Sequence, residues 1–266
     1  MKGTLKTNRF VVAAAVVFAA AFVILPNAQL AQTSAPKSAG YTVPRTSDGK
    51  PDFRGIWQSR NTAAYDLQDH TASLGIPAGR GVVVGGEIPY LPEAAAKKKE
   101  NFKNRATRDS VSRCYMAGVP RLMYLPFPFQ IFQGSGWVAI LSEYVHTYRY
   151  IRTDGSPHIA DLDFWMGDPR GRWEGSTLVI DSVSFNDQTW FDIAGNFHSE
   201  KLHTIERITR TDADTLTYEV TIEDPKTFSK PWKISMPLYR NKEKDAQILE
   251  YECYAYAEDA KNEQSK

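Results

Sequence analysis

Three of the chain's five histidines and three of its six tryptophans fall between His158 and Glu206, among closely spaced acids and arginines. His158, Asp163, His198 and His203 form an acid–base set: imidazoles that take and give protons near neutral pH, beside a carboxylate that orients them. A metal reading of the same stretch uses His198, Glu200 and His203. The zinc-protease arrangement, however, needs two histidines four apart on one helical face, and these are five apart. Trp165, Arg170, Arg172, Asn186, Asp187, Trp190 and Tyr144 are the candidate ligand contacts. The tryptophans would wall an aromatic or sugar pocket, and Arg170 and Arg172, set between Gly167 and Gly175, would close on a carboxylate or phosphate. Each group also has a structural alternative: histidines that cap turns, arginines neutralised by Asp168 and Glu174, tryptophans in the core. The sequence holds no Gly-x-Ser-x-Gly elbow and no glycine-rich nucleotide loop, so the expectation is chemistry without a cofactor.

The rest of the chain must place these residues. Lys2, Lys6 and Arg9 precede an apolar run from Phe10 to Leu25 that ends at Pro26. Residues 1–35 read as a secretory signal peptide, because the run falls short of the roughly 20 residues a spanning helix needs. Removing them takes away three positive charges and no acids, leaving 29 Lys and Arg against 31 Asp and Glu. That balance gives a nucleic-acid partner little electrostatic support. The expectation is a periplasmic or secreted bacterial protein, with no stable membrane insertion after cleavage and a small-molecule ligand as partner. Its oligomeric state is left open. In an oxidising compartment Cys114 and Cys253 are expected to pair.

Residues 36–52 are a polar, turn-rich lead-in, 53–257 a single domain, and 258–266 a polar tail. Phe53 to Gln58 opens as a strand. Residues 61–90 read as loop with one strand at 82–84, and the stretch after Pro92 is a helix near 92–106. Strands are expected at 129–133, 137–144, 148–153 and 177–185. At 215–224, Leu216, Tyr218, Val220 and Ile222 alternate with polar residues. Trp232 to Leu238 continues the series, with Pro237 turned outward at an edge or bulge, and 248–256 is expected as a last strand. Tyr144, His146, Tyr148 and Tyr150 share one face of an extended segment, lining a cavity or forming an outward ladder. Sequential strands joined by short turns favour a mainly β protein: a single antiparallel barrel or half-barrel of about eight strands.

Gly55-x-Trp57 with the late Arg240 resembles the lipocalin pattern, which implies a tryptophan at the closed end of a barrel with an arginine packed across it. The segments Pro51-Asp-x-x-Gly-x-Trp57, Ala117-Gly-Val-Pro-Arg121, Trp165-Met-Gly-Asp-Pro-Arg-Gly-Arg-Trp-Glu-Gly175 and Phe185-Asn-Asp-Gln-Thr-Trp190 resemble a large group of exported bacterial proteins of unassigned function. That resemblance implies export and a shared site. Three functions stay open: a cofactor-independent isomerase, lyase or hydrolase acting on a small amphipathic or aromatic molecule; a non-catalytic binding protein of lipocalin type; and a metal-dependent hydrolase using His198 and His203.

Overall fold

The computed structural model describes residues 40–73 and 75–264. The signal peptide expected at 1–35 and the first residues of the lead-in lie outside them. Nine strands form a closed barrel in sequence order: β1 Gly55–Gln58, β2 Phe129–Gly134, β3 Trp137–Ser142, β4 Tyr148–Arg152, β5 Asp168–Glu174, β6 Thr177–Val183, β7 His203–Arg210, β8 Thr215–Glu223 and β9 Trp232–Arg240. Closure comes from β1 pairing antiparallel with β9, Trp57 opposite Arg240 and Gln58 opposite Tyr239.

Period-two alternation is clearest in β7, β8 and β9, where Ile208, Tyr218, Val220, Ile234 and Leu238 point inward and are at most 1% exposed. The inward apolar side chains of the barrel belong to one contiguous core. Pro237 faces out, as expected. The Ser235 N–H donates to Val82, away from β8. Pro237, two residues on, turns its missing N–H the same way, into the gap between the 82–84 segment and β1, where no ladder bond is lost.

One end of the barrel is plugged by Trp57, whose Nε1 donates to Phe53 O at 2.8 Å and whose ring lies 4.3 Å from the Arg240 guanidinium carbon. This is the contact that the Gly55/Trp57/Arg240 resemblance implies. Gly55 is required there: it has φ +135°, and a Cβ would sit 2.3 Å from an Arg240 nitrogen. The other end is wrapped by the long β1–β2 connection. It carries the helices α1, Pro92–Lys103, and α2, Arg105–Arg108, so the helix expected near 92–106 breaks at Asn104. Val83 bridges to Ile234 of β9. Arg121 forms a bidentate pair with Asp109 at 2.6 and 2.9 Å, both fully buried.

Three expectations are corrected. No strand is expected between 153 and 177, yet Asp168–Glu174 form β5, where Pro169 and Gly171 fill inward positions and only the outward phase carries charge. The joint between β4 and β5 is parallel, with Arg152 opposite Arg170 as its only register pair. A parallel joint needs a crossover rather than a hairpin, and residues 153–167 supply it. The last strand expected at 248–256 does not form. Tyr251 bridges to Tyr144, and the chain then enters helix α3, Cys253–Gln264, overrunning the boundary placed at 257. The free side of β9 is already taken by β1 and the 82–84 segment, so no ladder remains for a tenth strand. Instead Tyr251 packs on Phe127 with centroids 4.5 Å apart, and Cys253 is bonded to Cys114. Among the described residues no helix is long and apolar enough to cross a membrane.

A buried carboxylate in the wrapped end sets a pH dependence. Asp192 accepts from Leu67 N, Asn196 N and Asn196 Nδ2. Burial and the neighbouring Asp66 charge nonetheless push its pKa up from 3.8 to about 7. The folded state therefore holds a proton that the unfolded chain releases near 3.8, and stability from this group is full below that pH and falls as pH rises to about 7. Asp192→Asn should flatten the stability profile across this window by up to about 4 kcal/mol relative to wild type, read by urea unfolding at pH 4.5, 6 and 7.5. Parallel profiles for the two proteins would contradict it.

Candidate functional site

The outward faces of β5 to β8 carry a linked row of charged groups. One oxygen of Asp181 of β6 lies between two imidazoles, 3.3 Å from His158 Nε2 and hydrogen-bonded to His203 Nε2 at 3.2 Å. His203 Nδ1 lies 3.1 Å from Glu223, His158 Nδ1 lies 3.2 Å from Asp168, and Asp168 is paired with Arg170 at 2.5 Å. Ile159 N donates to Asp168 at 2.7 Å and Arg170 Nε to Pro157 O at 2.8 Å, so the row fastens the crossover to the wall. All four imidazole nitrogens lie within 3.3 Å of a carboxylate oxygen. His158 and His203 thus meet, each about a third exposed.

His198 does not join them. It is 1% exposed, between Phe185 and Phe191. Its Nδ1 lies 2.9 Å from the Ser199 carbonyl, which can only accept, so Nδ1 carries the proton and Nε2 accepts from the Thr189 hydroxyl at 2.8 Å. Burial lowers its pKa, keeping the ring neutral. Glu200 pairs with Lys226 at the surface. The three groups of the metal reading are therefore held in three different environments. Among the described residues, His146, Glu250 and Glu252 place three metal-type donor atoms within 4.8 Å of one another, and all three residues are exposed.

The proposed ligand contacts also separate. Arg172 pairs with Glu174 on the exposed hairpin, and Trp173 packs on Phe53. Asn186 and Asp187 hydrogen-bond to Gln188 in their own turn. Trp190 is buried with Ala94 and Phe197 under α1. Tyr144 is buried, its one hydroxyl proton shared between Tyr115 O at 3.0 Å and Val111 O at 3.2 Å. It shares no face with Tyr148 and Tyr150, because Val145 and His146 turn the chain at positive φ. Tyr148 and Tyr150 are 73% and 50% exposed, and Tyr150 stacks on Trp137 as an outward ladder.

Asp163 and Trp165 do line a cavity. Where β4 and β5 diverge below their single register pair, a cleft of about 580 Å³ opens in the barrel wall. Met116, Phe164, Trp165, Met166 and Ile159 make it largely apolar, with His146, Asp163 and Asp168 among its polar members. Tyr115 fixes Trp165 edge-on, with centroids 5.5 Å apart. His158 and His203 are not among its lining residues.

Thr147 and Arg149 also line it. Arg149 is fully buried and forks onto Glu206 of β7 at 3.0 and 2.5 Å, while Tyr218 OH donates to Glu206 at 2.7 Å. These residues are not evident from composition or motif. The available signal is phase: Arg149 lies between two outward tyrosines, and Glu206 lies in step with Ile208, so charges of opposite sign occupy the inward register of two strands.

The class defined by these features is a closed nine-stranded barrel with an apolar cleft in one wall seam. No protein-family model matches the chain, and a search of curated proteins finds no match.

Proposed function

We propose that the protein binds a small amphipathic or aromatic molecule in the cleft between β4 and β5, without turning it over. The observation that carries this reading is the cleft itself: about 580 Å³, with an edge-held tryptophan and few polar groups, the composition of a small-molecule site. The acid–base alternative rests on His158 and His203 sharing Asp181. Those rings lie outside the cleft lining, so a bound molecule would not meet them. The metal alternative has no support in the separated positions of His198, Glu200 and His203. Export to an oxidising compartment is part of the proposal, supported by the charged and apolar N-terminal pattern and by the Cys114–Cys253 bond.

N-phenyl-1-naphthylamine, an uncharged fluorescent aromatic, is expected to bind saturably at one site. Trp165→Ala should weaken that binding about tenfold, roughly the loss of a buried aromatic contact, with little change in melting temperature. Absent or non-saturable binding, or binding indifferent to the Trp165 substitution, would count against the cleft.

A further inference from the structure

We propose that His146, Glu250 and Glu252 bind one zinc ion, which fastens the segment after β9 to the turn between β3 and β4. The site goes beyond the reading of the cleft and does not depend on it, although His146 also contributes to the cleft lining.

The three donor atoms come from two distant chain segments and all lie within 4.8 Å of one another. His146 Nδ1 stands 3.3 Å from Glu252 Oε1. Two donors held about 2.0–2.1 Å from a tetrahedral zinc ion are themselves about 3.3 Å apart, so this spacing suits a shared ion. Glu250 is exposed and the other two side chains are about half exposed. Small side-chain rotations therefore complete the set, and the fourth position stays open to water.

Backbone pairing puts the donors there. Tyr144 and Tyr251 form a parallel bridge, and their rings stack with centroids 5.9 Å apart. Tyr251 also packs on Phe127. Glu250 and Glu252, one residue to either side of it, fall together on the opposite face of the extended backbone. The chain turns at Val145 and His146, both at positive φ, and His146 meets the two glutamates. One residue beyond Glu252, the Cys114–Cys253 bond holds the segment in place. Much of the ordering is thus complete before an ion arrives, which lowers the cost of binding.

Charge and ligand type select the occupant. Two carboxylates share this face, and among the described residues their ion-pair partner is His146, which carries charge only when protonated. A bound cation offsets their repulsion. One imidazole nitrogen with two carboxylates suits zinc, whereas calcium takes about six to eight oxygens and magnesium keeps several of its waters.

Zinc chloride titrated calorimetrically into the intact, disulfide-bonded protein should bind at one site per chain, and calcium and magnesium chlorides should bind far more weakly. His146→Asn introduces a residue that tolerates positive φ. This variant and Glu252→Gln should each weaken zinc binding by about tenfold or more, since even the outer partners of metal ligands are worth that much. His203→Ala, which removes the ring between Asp181 and Glu223, should leave it unchanged. A second measurement needs no variant. Zinc should slow the reaction of His146 with diethyl pyrocarbonate, read by mass spectrometry, and a chelator should restore it. The assignment would be overturned by no zinc binding, by binding lost in His203→Ala or insensitive to both site substitutions, by calcium binding tighter than zinc, or by unchanged reactivity of His146.

Discussion

Glu206→Ala and Arg149→Met, made singly, are each expected to destabilise the protein by about 3–5 kcal/mol, because each strands a charge inside the barrel. The two side chains are wholly buried and hold each other through two hydrogen bonds, so neither has solvent to turn to. For a domain of this size the loss corresponds to roughly 10 °C or more in melting temperature. The double variant Arg149→Met/Glu206→Leu, combined with Tyr218→Phe to remove the hydroxyl that donates to Glu206, should recover most of the loss. An apolar trio of similar volume has no desolvation penalty to offset. Urea unfolding of the four proteins measures this directly. Single variants within 1 kcal/mol of wild type would show that the pair is not the buried structural element described above.

The second large effect is expected from the disulfide. Cys114 and Cys253 are 139 residues apart and enclose every strand but β1. Cross-linking a loop of that length lowers the entropy of the unfolded chain, corresponding to about 5 kcal/mol of stability in the chain-entropy model. Cys114→Ser/Cys253→Ser should approach that loss while keeping the far-ultraviolet spectrum of the barrel, since the β ladders do not depend on the bond. Equal unfolding midpoints for oxidised and reduced wild type would argue against it. Free thiols in unreduced, unfolded protein would show that the bond had not formed.

The parts of the fold legible in the sequence are those where polarity and direction agree. In β8, Leu216 to Ile222 alternate because water lies on one side and the core on the other, so period two appears directly. In β5 the inward positions are Pro169, Gly171 and Trp173, two of them poor markers of a strand, while the outward charges resemble a surface turn. In β4 and β7 the code is inverted: Arg149 and Glu206 point inward as a neutral pair, and a rule that sends charge to solvent cannot find them. The candidate site divides in the same way. His158 and His203 come together because strand pairing and the crossover, neither visible in their spacing, bring both to Asp181. His198 is five residues from His203 in sequence, yet it lies before β7 begins and packs between phenylalanines. Trp165 and Asp163 line the cleft because the parallel joint leaves the wall open beside them.

The closing pair of the barrel has a consequence for how the chain comes to be made. Its first strand, Gly55–Gln58, finds its outer partner only at Tyr239 and Arg240, near the far end of the polypeptide. A chain emerging from its N-terminus therefore presents β1 long before β9 exists, and β2 to β8 can zip in order through neighbouring hairpins and the one crossover while the ring stays open. Pairings this distant are slow, since the loop entropy must be given up before the contacts form. Synthesis can thus run almost to completion with the cylinder unclosed, and the finished wall, with its seam between β4 and β5, appears only when the last strand is free.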